Sequence, residues 1–152
     1  MIVGVISDTH GLLRPQAIEA LTGSSLILHA GDVGDPNVLE GLRAVAPTIA
    51  VRGNVDTSAW AKTLPMTEVV EVGALHLYML HNLADLDLDP AAAHFAAVIS
   101  GHSHRPSADV RNGVLFLNPG SAGPRRFKLP LSVARMSVVG DRLTHEIVNL
   151  AA

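Results

Sequence analysis

Seven residues that could do chemistry stand where apolar runs end. "IVGVIS" leads into Asp8-Thr9-His10, "SLILHA" into Gly31-Asp32, and "TIAVR" into Gly53-Asn54-Val55-Asp56. "LYML" leads into His81, and "AAVIS" into Gly101-His102-Ser103-His104. The candidates are therefore Asp8, His10, Asp32, Asn54, His81, His102 and His104. Carboxylate, imidazole and amide oxygen together suit mid-row divalent metals such as manganese, iron, nickel or zinc. Seven donors are too many for one ion and about right for two. A pair of ions roughly 3.5–4 Å apart is a device of phosphoryl chemistry, lowering the pKa of a shared water and offsetting transition-state charge. Residues two apart share a face in extended chain, so His102 and His104 can each reach one of two neighbouring ions. Gly101 is read as the residue that lets the backbone bend tightly there.

The remaining polar residues carry weaker signals. Of eight histidines, His29 lies inside an apolar run. It reads first as a buried hydrogen-bonded imidazole and second as a partner that orients a metal ligand. His76, His94 and His145 read as structural. Asp56 is placed to orient a ligand, without a sign of which one. Arg125 and Arg126 follow the glycine loop "GSAGP" and read either as a solvated pair or as contacts to phosphate or substrate.

Other chemistries lack their motifs. No G-x-S-x-G elbow and no Walker A loop occur, and "GDVGD" does not complete a dinucleotide fingerprint. Cysteine is absent from the 152 residues, which excludes disulfides, thiolate nucleophiles and cysteine-ligated zinc. The net charge of -3 argues against a nucleic-acid surface that works by neutralising phosphates. "MIVGVISDTH" has neither the basic start nor the long apolar core of a signal peptide, and no window approaches a membrane span. A soluble cytoplasmic protein is the expectation.

Elements of the right kind flank each candidate. Strands are expected over 1–7, 25–32 and 48–56, with helices over 14–23 and 35–47. Pro15 and Pro36 stand in the first turns of those helices, and Asp35 is a plausible N-cap. Strand alternating with helix predicts parallel strands and crossover helices. The later chain reads as hairpins turning at Gly73, Asn112-Gly113 and Gly140-Asp141. Apolar residues make up 48 % of the chain and aromatics 3 %, so the core must be built from Val, Leu, Ile and Ala. One domain spanning 1–152 is expected, with two mixed sheets, parallel early and antiparallel late, and helices outside. In such sheets ligands bind beyond the carboxyl ends of the strands, which is where the seven candidates fall.

"DTH", "GD", "GNVD", a later His and "GHSH", in that order, resemble the calcineurin-like metallophosphoesterase superfamily. "NPGSAGPRR" and the short length are similar to its small branch of YfcE-like phosphodiesterases. The resemblance implies an α/β (α+β) fold, a four-layer αββα sandwich of two mixed β-sheets flanked by helices. It implies that Asp8, His10 and His104 hold one metal, that Asn54, His81 and His102 hold the other, and that Asp32 bridges them. Asp32, Asn54 and His102 count as catalytic in this scheme. The implied cofactors are two divalent metal ions, manganese foremost with iron, nickel or zinc as substitutes. The implied reaction is in-line attack on a small phosphodiester by a metal-bridging hydroxide. Two departures stand out. Many members read Gly-Asn-His-Asp where this chain has Val55, which removes an obvious general acid. The fourth motif is commonly His-Gly, and here it is His81-Asn82. A retromer subunit of similar architecture serves as a scaffold, so a binding module is the alternative function. The late strands, if exposed, offer a surface for homo-oligomer pairing.

Overall fold

Proline starts both α-helices of the computed structural model, which describes residues 1–126 and 128–150. In chain order the elements are β1 (Ile2–Ile6), α1 (Pro15–Leu21), β2 (Leu26–His29), α2 (Pro36–Arg43) and β3 (Thr48–Ala50). A 3-10 turn at Ala61–Thr63 precedes β4 (Thr67–Val72) and β5 (Leu75–Leu80), and a second at Leu83–Asp85 precedes β6 (Ala97–Ile99). Then follow β7 (Ser107–Arg111), β8 (Val114–Asn118), β9 (Ser132–Val139) and β10 (Arg142–Asn149). At α2, Asp35 accepts the Asn37 N–H at 2.8 Å and supplies one of the partners a helix start lacks.

Two five-stranded sheets stack in the order β10-β9-β1-β2-β3 and β4-β5-β6-β8-β7. Period-2 alternation sorts their side chains. Val3, Val5 and Leu28 point between the sheets, with Leu77, Met79, Ile99, Leu117 and Met136. Ile6 and Ile27 point the other way, onto Ala17 and Leu21 of α1 and Val38 and Leu42 of α2. Gly4 permits the close approach of α1, since a Cβ there would stand 2.6 Å from Leu21 Cδ2. The fold is an α/β sandwich of two mixed sheets, as expected.

Two details refine that expectation. The later strands are not only antiparallel: β5–β6 and β6–β8 pair in parallel. The link from β5 to β6 crosses the outer face of the second sheet, and β7 is laid on the far edge of β8. The outer layer on that side is a 3-10 turn and irregular chain, not an α-helix. Leu86 and Leu88 alternate with Asp85, Asp87 and Asp89 before Pro90, a period and a terminator that do not suit a helix. Leu83, Leu86, Leu88 and Phe95 nevertheless cover Tyr78, Leu80 and Val98.

The parallel strands bring their carboxyl ends to one rim. Backbone pairing between the first two strands runs on past them, through Asp8 N–H to Gly31 O (3.0 Å), His10 N–H to Asp32 O (2.9 Å) and Gly11 N–H to Val33 O (2.7 Å). In the second sheet Gly101 N–H donates to His81 O at 2.9 Å. These bonds hold the DTH, GD and GHSH segments beside one another. Among the described residues, no helix is long and apolar enough to cross a membrane.

Candidate metal centre

Asp8, His10, Asp32, His102 and His104 all have left-handed backbones, with φ of 56°, 47°, 57°, 71° and 63°. That region costs a non-glycine residue of order 1–3 kcal/mol and persists where surrounding structure imposes it, often at functional sites. The bend in "GHSH" is therefore made by the two histidines. Gly101 has no left-handed φ, and its requirement is space: a Cβ there would clash with Ser7 Oγ and lie 2.7 Å from Asp8 Oδ2.

The side chains converge as two groups. Asp8, His10 and His104 bring one ligand atom each within 4.8 Å of one another, and so do Asp32, His81 and His102. In the first, His104 Nε2 lies 3.3 Å and His10 Nε2 3.8 Å from Asp8 Oδ1. In the second, His81 Nε2 lies 3.2 Å from Asp32 Oδ2. That same Asp32 oxygen is 3.7 Å from His10 Nε2, so Asp32 stands between the groups. Asp8 Oδ1 is also 3.9 Å from His81 Nε2. The His102 ring is exposed and meets the His81 ring edge-on, centroids 5.2 Å apart. Asn54 is exposed and lines a cleft together with His81.

Each carboxylate divides its oxygens between the protein and the centre. Asp8 Oδ2 accepts from Ser7 Oγ at 2.7 Å and His102 N–H at 3.0 Å, while Oδ1 has no hydrogen-bond partner. Asp32 Oδ1 accepts the Val55 N–H at 3.0 Å and turns Oδ2 to the histidines. His81 donates from Nδ1 to Ala30 O at 2.7 Å, which leaves a bare, buried Nε2. A histidine fixed through one nitrogen by a backbone carbonyl presents the other as a metal ligand. Buried polar atoms without partners are rare, and Asp8 Oδ1 and His81 Nε2 both face this centre. Donor–donor spacings of 3.2–3.8 Å within the groups match two ligands of one ion bound at about 2.0–2.2 Å each. The residues present fit divalent cations.

Protein charges alone leave the centre unbalanced. Burial pushes the Asp8 carboxyl above its ordinary value despite the Ser7 hydrogen bond and the nearby histidines. Burial also opposes ionisation of Asp32, but the adjacent His81 imidazole and the Val55 N–H outweigh it and hold that carboxyl well below the usual range. For His81, burial is outweighed by the Asp32 and Asp8 carboxylates, which raise it. Burial lowers His104 against the pull of Asp8. A cation seated among these groups reverses the local logic for Asp8 and His81, favouring carboxylate and neutral ring, and acts in the same direction as burial on His104.

Some supporting residues escaped the sequence reading, and others were read only in part. Ser7 carried no signal, since it ends an apolar strand. Asp56 accepts from Val33, Gly34 and Gly53 N–H at 3.2, 3.0 and 2.9 Å and ties the GD loop to the GNVD loop. It orients two loops and no single ligand. Asn118, in the quoted "NPGSAG", donates to Gly101 O at 2.9 Å and Ser103 Oγ at 3.1 Å and so steadies the GHSH turn. Ser121 Oγ of the same motif donates to Asp8 O at 3.0 Å. His29 takes its first reading: Nδ1 accepts from Gly31 N–H at 3.1 Å, and Nε2 lies 3.0 Å from Thr9 Oγ1. Arg125 and Arg126 are exposed, and Arg126 acts electrostatically on His104.

This geometry has relatives. Residues 1–141 match the calcineurin-like phosphoesterase superfamily domain, and the chain belongs to that family. A protein of Methanothermobacter thermautotrophicus named as a probable metallophosphoesterase is 34 % identical over 167 aligned positions, covering 100 % of this chain and 94 % of its own. The structure of an archaeal phosphodiesterase superposes with a TM-score of 0.79 at 23 % identity, covering 97 % of this chain and 100 % of the other. Vps29 of Chaetomium thermophilum gives 0.79 at 21 % identity, covering 98 % and 97 %. Those two likenesses speak to fold alone. The family is one of metallophosphoesterases, and this chain carries two candidate metal-binding groups within the matched residues.

Proposed function

We propose that this chain is a cytoplasmic phosphodiesterase that works with two divalent cations, manganese foremost, on a small phosphodiester. The observation that carries the reading is a pair of three-residue groups, each with its ligand atoms within 4.8 Å of one another, joined by Asp32 Oδ2 of the second, which lies 3.2 Å from its own His81 and 3.7 Å from His10 of the first. In this reading Asp8, His10 and His104 hold one cation, Asn54, His81 and His102 hold the other, and Asp32 bridges. When bound, the cations supply Lewis acidity toward phosphate oxygens and make water a stronger acid.

The chain's own residues do the positioning. The Ala30 carbonyl locks the His81 tautomer, so its lone pair and not its proton faces the centre. Ser7 and the His102 N–H hold Asp8 through one oxygen and leave the other free. Asn54 and His102 are the exposed members, so the phosphodiester approaches from their side. Val55 is 47 % exposed beside Asn54 and carries no proton to give a leaving alkoxide. Leaving groups that need little protonation should therefore react best, aryl diesters ahead of alkyl monoesters.

The full complement of ligating side chains favours the enzyme over a scaffold. Hydrolysis of bis(p-nitrophenyl) phosphate with manganese, and its loss with chelator, tests this. Asp32→Ala and His102→Ala should each abolish turnover while the protein stays folded by circular dichroism. Full turnover in either variant, or in chelator, would reject the reading.

A further inference from the structure

Beside the centre lies a cleft of about 540 Å³, within the size range of small-molecule sites. Asn54 and His81 line it on the metal side, and Met66 and Leu80 supply apolar wall. Arg52 and Lys62, both positively charged, also line it. Arg52 is fixed at its backbone by an N–H bond to Pro65 O (2.8 Å), and its Nε is buried with no hydrogen-bond partner. Neither cation has a carboxylate within ion-pairing distance: among the described residues, the Arg or Lys ion pair is Arg111–Asp109, on β7.

The acidic groups of the cleft do not answer this demand. Asp56 has both oxygens engaged by backbone N–H groups. Asp85 is exposed and solvated, and it pairs with neither cation. Asn82, in the place of the commoner glycine, accepts the Ala84 N–H through Oδ1 at 3.1 Å, which leaves its amide N–H₂ free to donate. Two cationic side chains lining one cleft without a carboxylate partner, together with a free amide, call for a multivalent oxyanion, and phosphate suits the planar donor fork of arginine.

We propose that this cleft receives one ester arm of the phosphodiester, and that the arm is of nucleoside size and carries a further phosphate group bound by Arg52 and Lys62. The uncharged body of the arm lies along Met66 and Leu80, and Asn82 donates to it. The inference builds on the phosphodiesterase reading, since the reacting phosphate would sit by Asn54 and His81, but the recognition itself needs neither metal nor turnover.

The test is therefore made on metal-free, isotope-labelled protein in chelator, titrated with thymidine 3′,5′-bisphosphate and followed by amide chemical shifts. Saturable shifts at Gly53, Lys62, Thr67 and Asn82 are expected. Arg52→Gln and Lys62→Gln should each weaken binding at least tenfold, and the exposed Asp85→Asn should strengthen it. Thymidine alone should produce no such shifts, and inorganic phosphate should bind more weakly than the bisphosphate. Shifts confined to 101–105, equal affinity for inorganic phosphate, or unchanged affinity in both cation variants would overturn the proposal. Wild-type turnover of bis(p-nitrophenyl) phosphate separates the two ideas. Turnover without bisphosphate binding defeats the cleft alone, and binding without turnover defeats the phosphodiesterase alone.

Discussion

His81 and Asp32 meet through Nε2 and Oδ2 at 3.2 Å, although His81 already donates its Nδ1 proton to Ala30. A neutral ring held this way points a lone pair at a carboxylate, which is stabilising only with a cation between or a second proton on the ring. Manganese should therefore raise the melting temperature of the wild-type protein. At one hundred times the dissociation constant the gain is about 2.7 kcal/mol for one site. His81→Ala should remove much of that gain and reduce hydrolysis of bis(p-nitrophenyl) phosphate by at least 10²-fold. A melting shift of the same size in the variant, by calorimetry at matched manganese, would contradict the assignment.

Ser7 offers a subtler test, because it touches Asp8 and no substrate. Its hydroxyl donates to Asp8 Oδ2 at 2.7 Å, one of the interactions that oppose the effect of burial on that carboxyl. Ser7→Ala should weaken metal binding about 10–100-fold, the range typical of partners that orient ligands. Excess manganese should restore most of the turnover. A metal titration read by turnover and by calorimetry checks this, and unaltered metal affinity would show that the hydrogen bond only fills space.

Much of this was legible in the sequence, for a physical reason. Apolar runs that stop at Asp, Asn or His mark strand ends, and parallel strands send their carboxyl ends to one rim. That logic placed Asp8, His10, Asp32, His81, His102 and His104 at strand ends along one rim without any knowledge of their contacts. It could not show the left-handed backbone at five of those positions, because Asp and His adopt that region only when surrounding structure imposes it. Nor could it pair Asp56 with Val33 and Gly34, since a bond across 22 or 23 residues leaves no local pattern. The parallel order β5-β6-β8 was hidden for the same reason. Each strand is short, and hairpin turns between later strands suggested only antiparallel neighbours.

His29 predicts acid sensitivity. Complete burial lowers this imidazole from 6.5 to about 4 in the folded protein. Between those values the unfolded chain binds more protons than the native one, so stability is full above pH 6.5 and falls as the pH drops towards 4. The loss from this group is about 3 kcal/mol across that window. His29→Gln retains a donor for Thr9 and an acceptor for Gly31 but cannot take up the proton. Denaturant unfolding of chelated protein at several pH values should show a flatter slope for the variant. Parallel slopes would mean that His29 keeps its ordinary titration.

Val55 sets the last prediction. Its N–H bonds to Asp32 Oδ1 at 3.0 Å, while its side chain is 47 % exposed next to Asn54. Position 55 thus couples the backbone of the centre to an exposed side chain on the side from which the proposed substrate would arrive. Val55→His keeps the N–H bond and places a proton donor where a departing alkoxide would need one. General acids contribute about 10²–10⁴-fold when the leaving group is poor and little when it is good. The variant should therefore raise turnover of alkyl phosphate esters by up to about 10²-fold and leave p-nitrophenyl diesters nearly unchanged. The gain should disappear as the pH rises above the imidazole's titration, because only the protonated ring can donate. An equal change on both ester classes, or a gain that persists at high pH, would show that the histidine alters binding and not proton transfer.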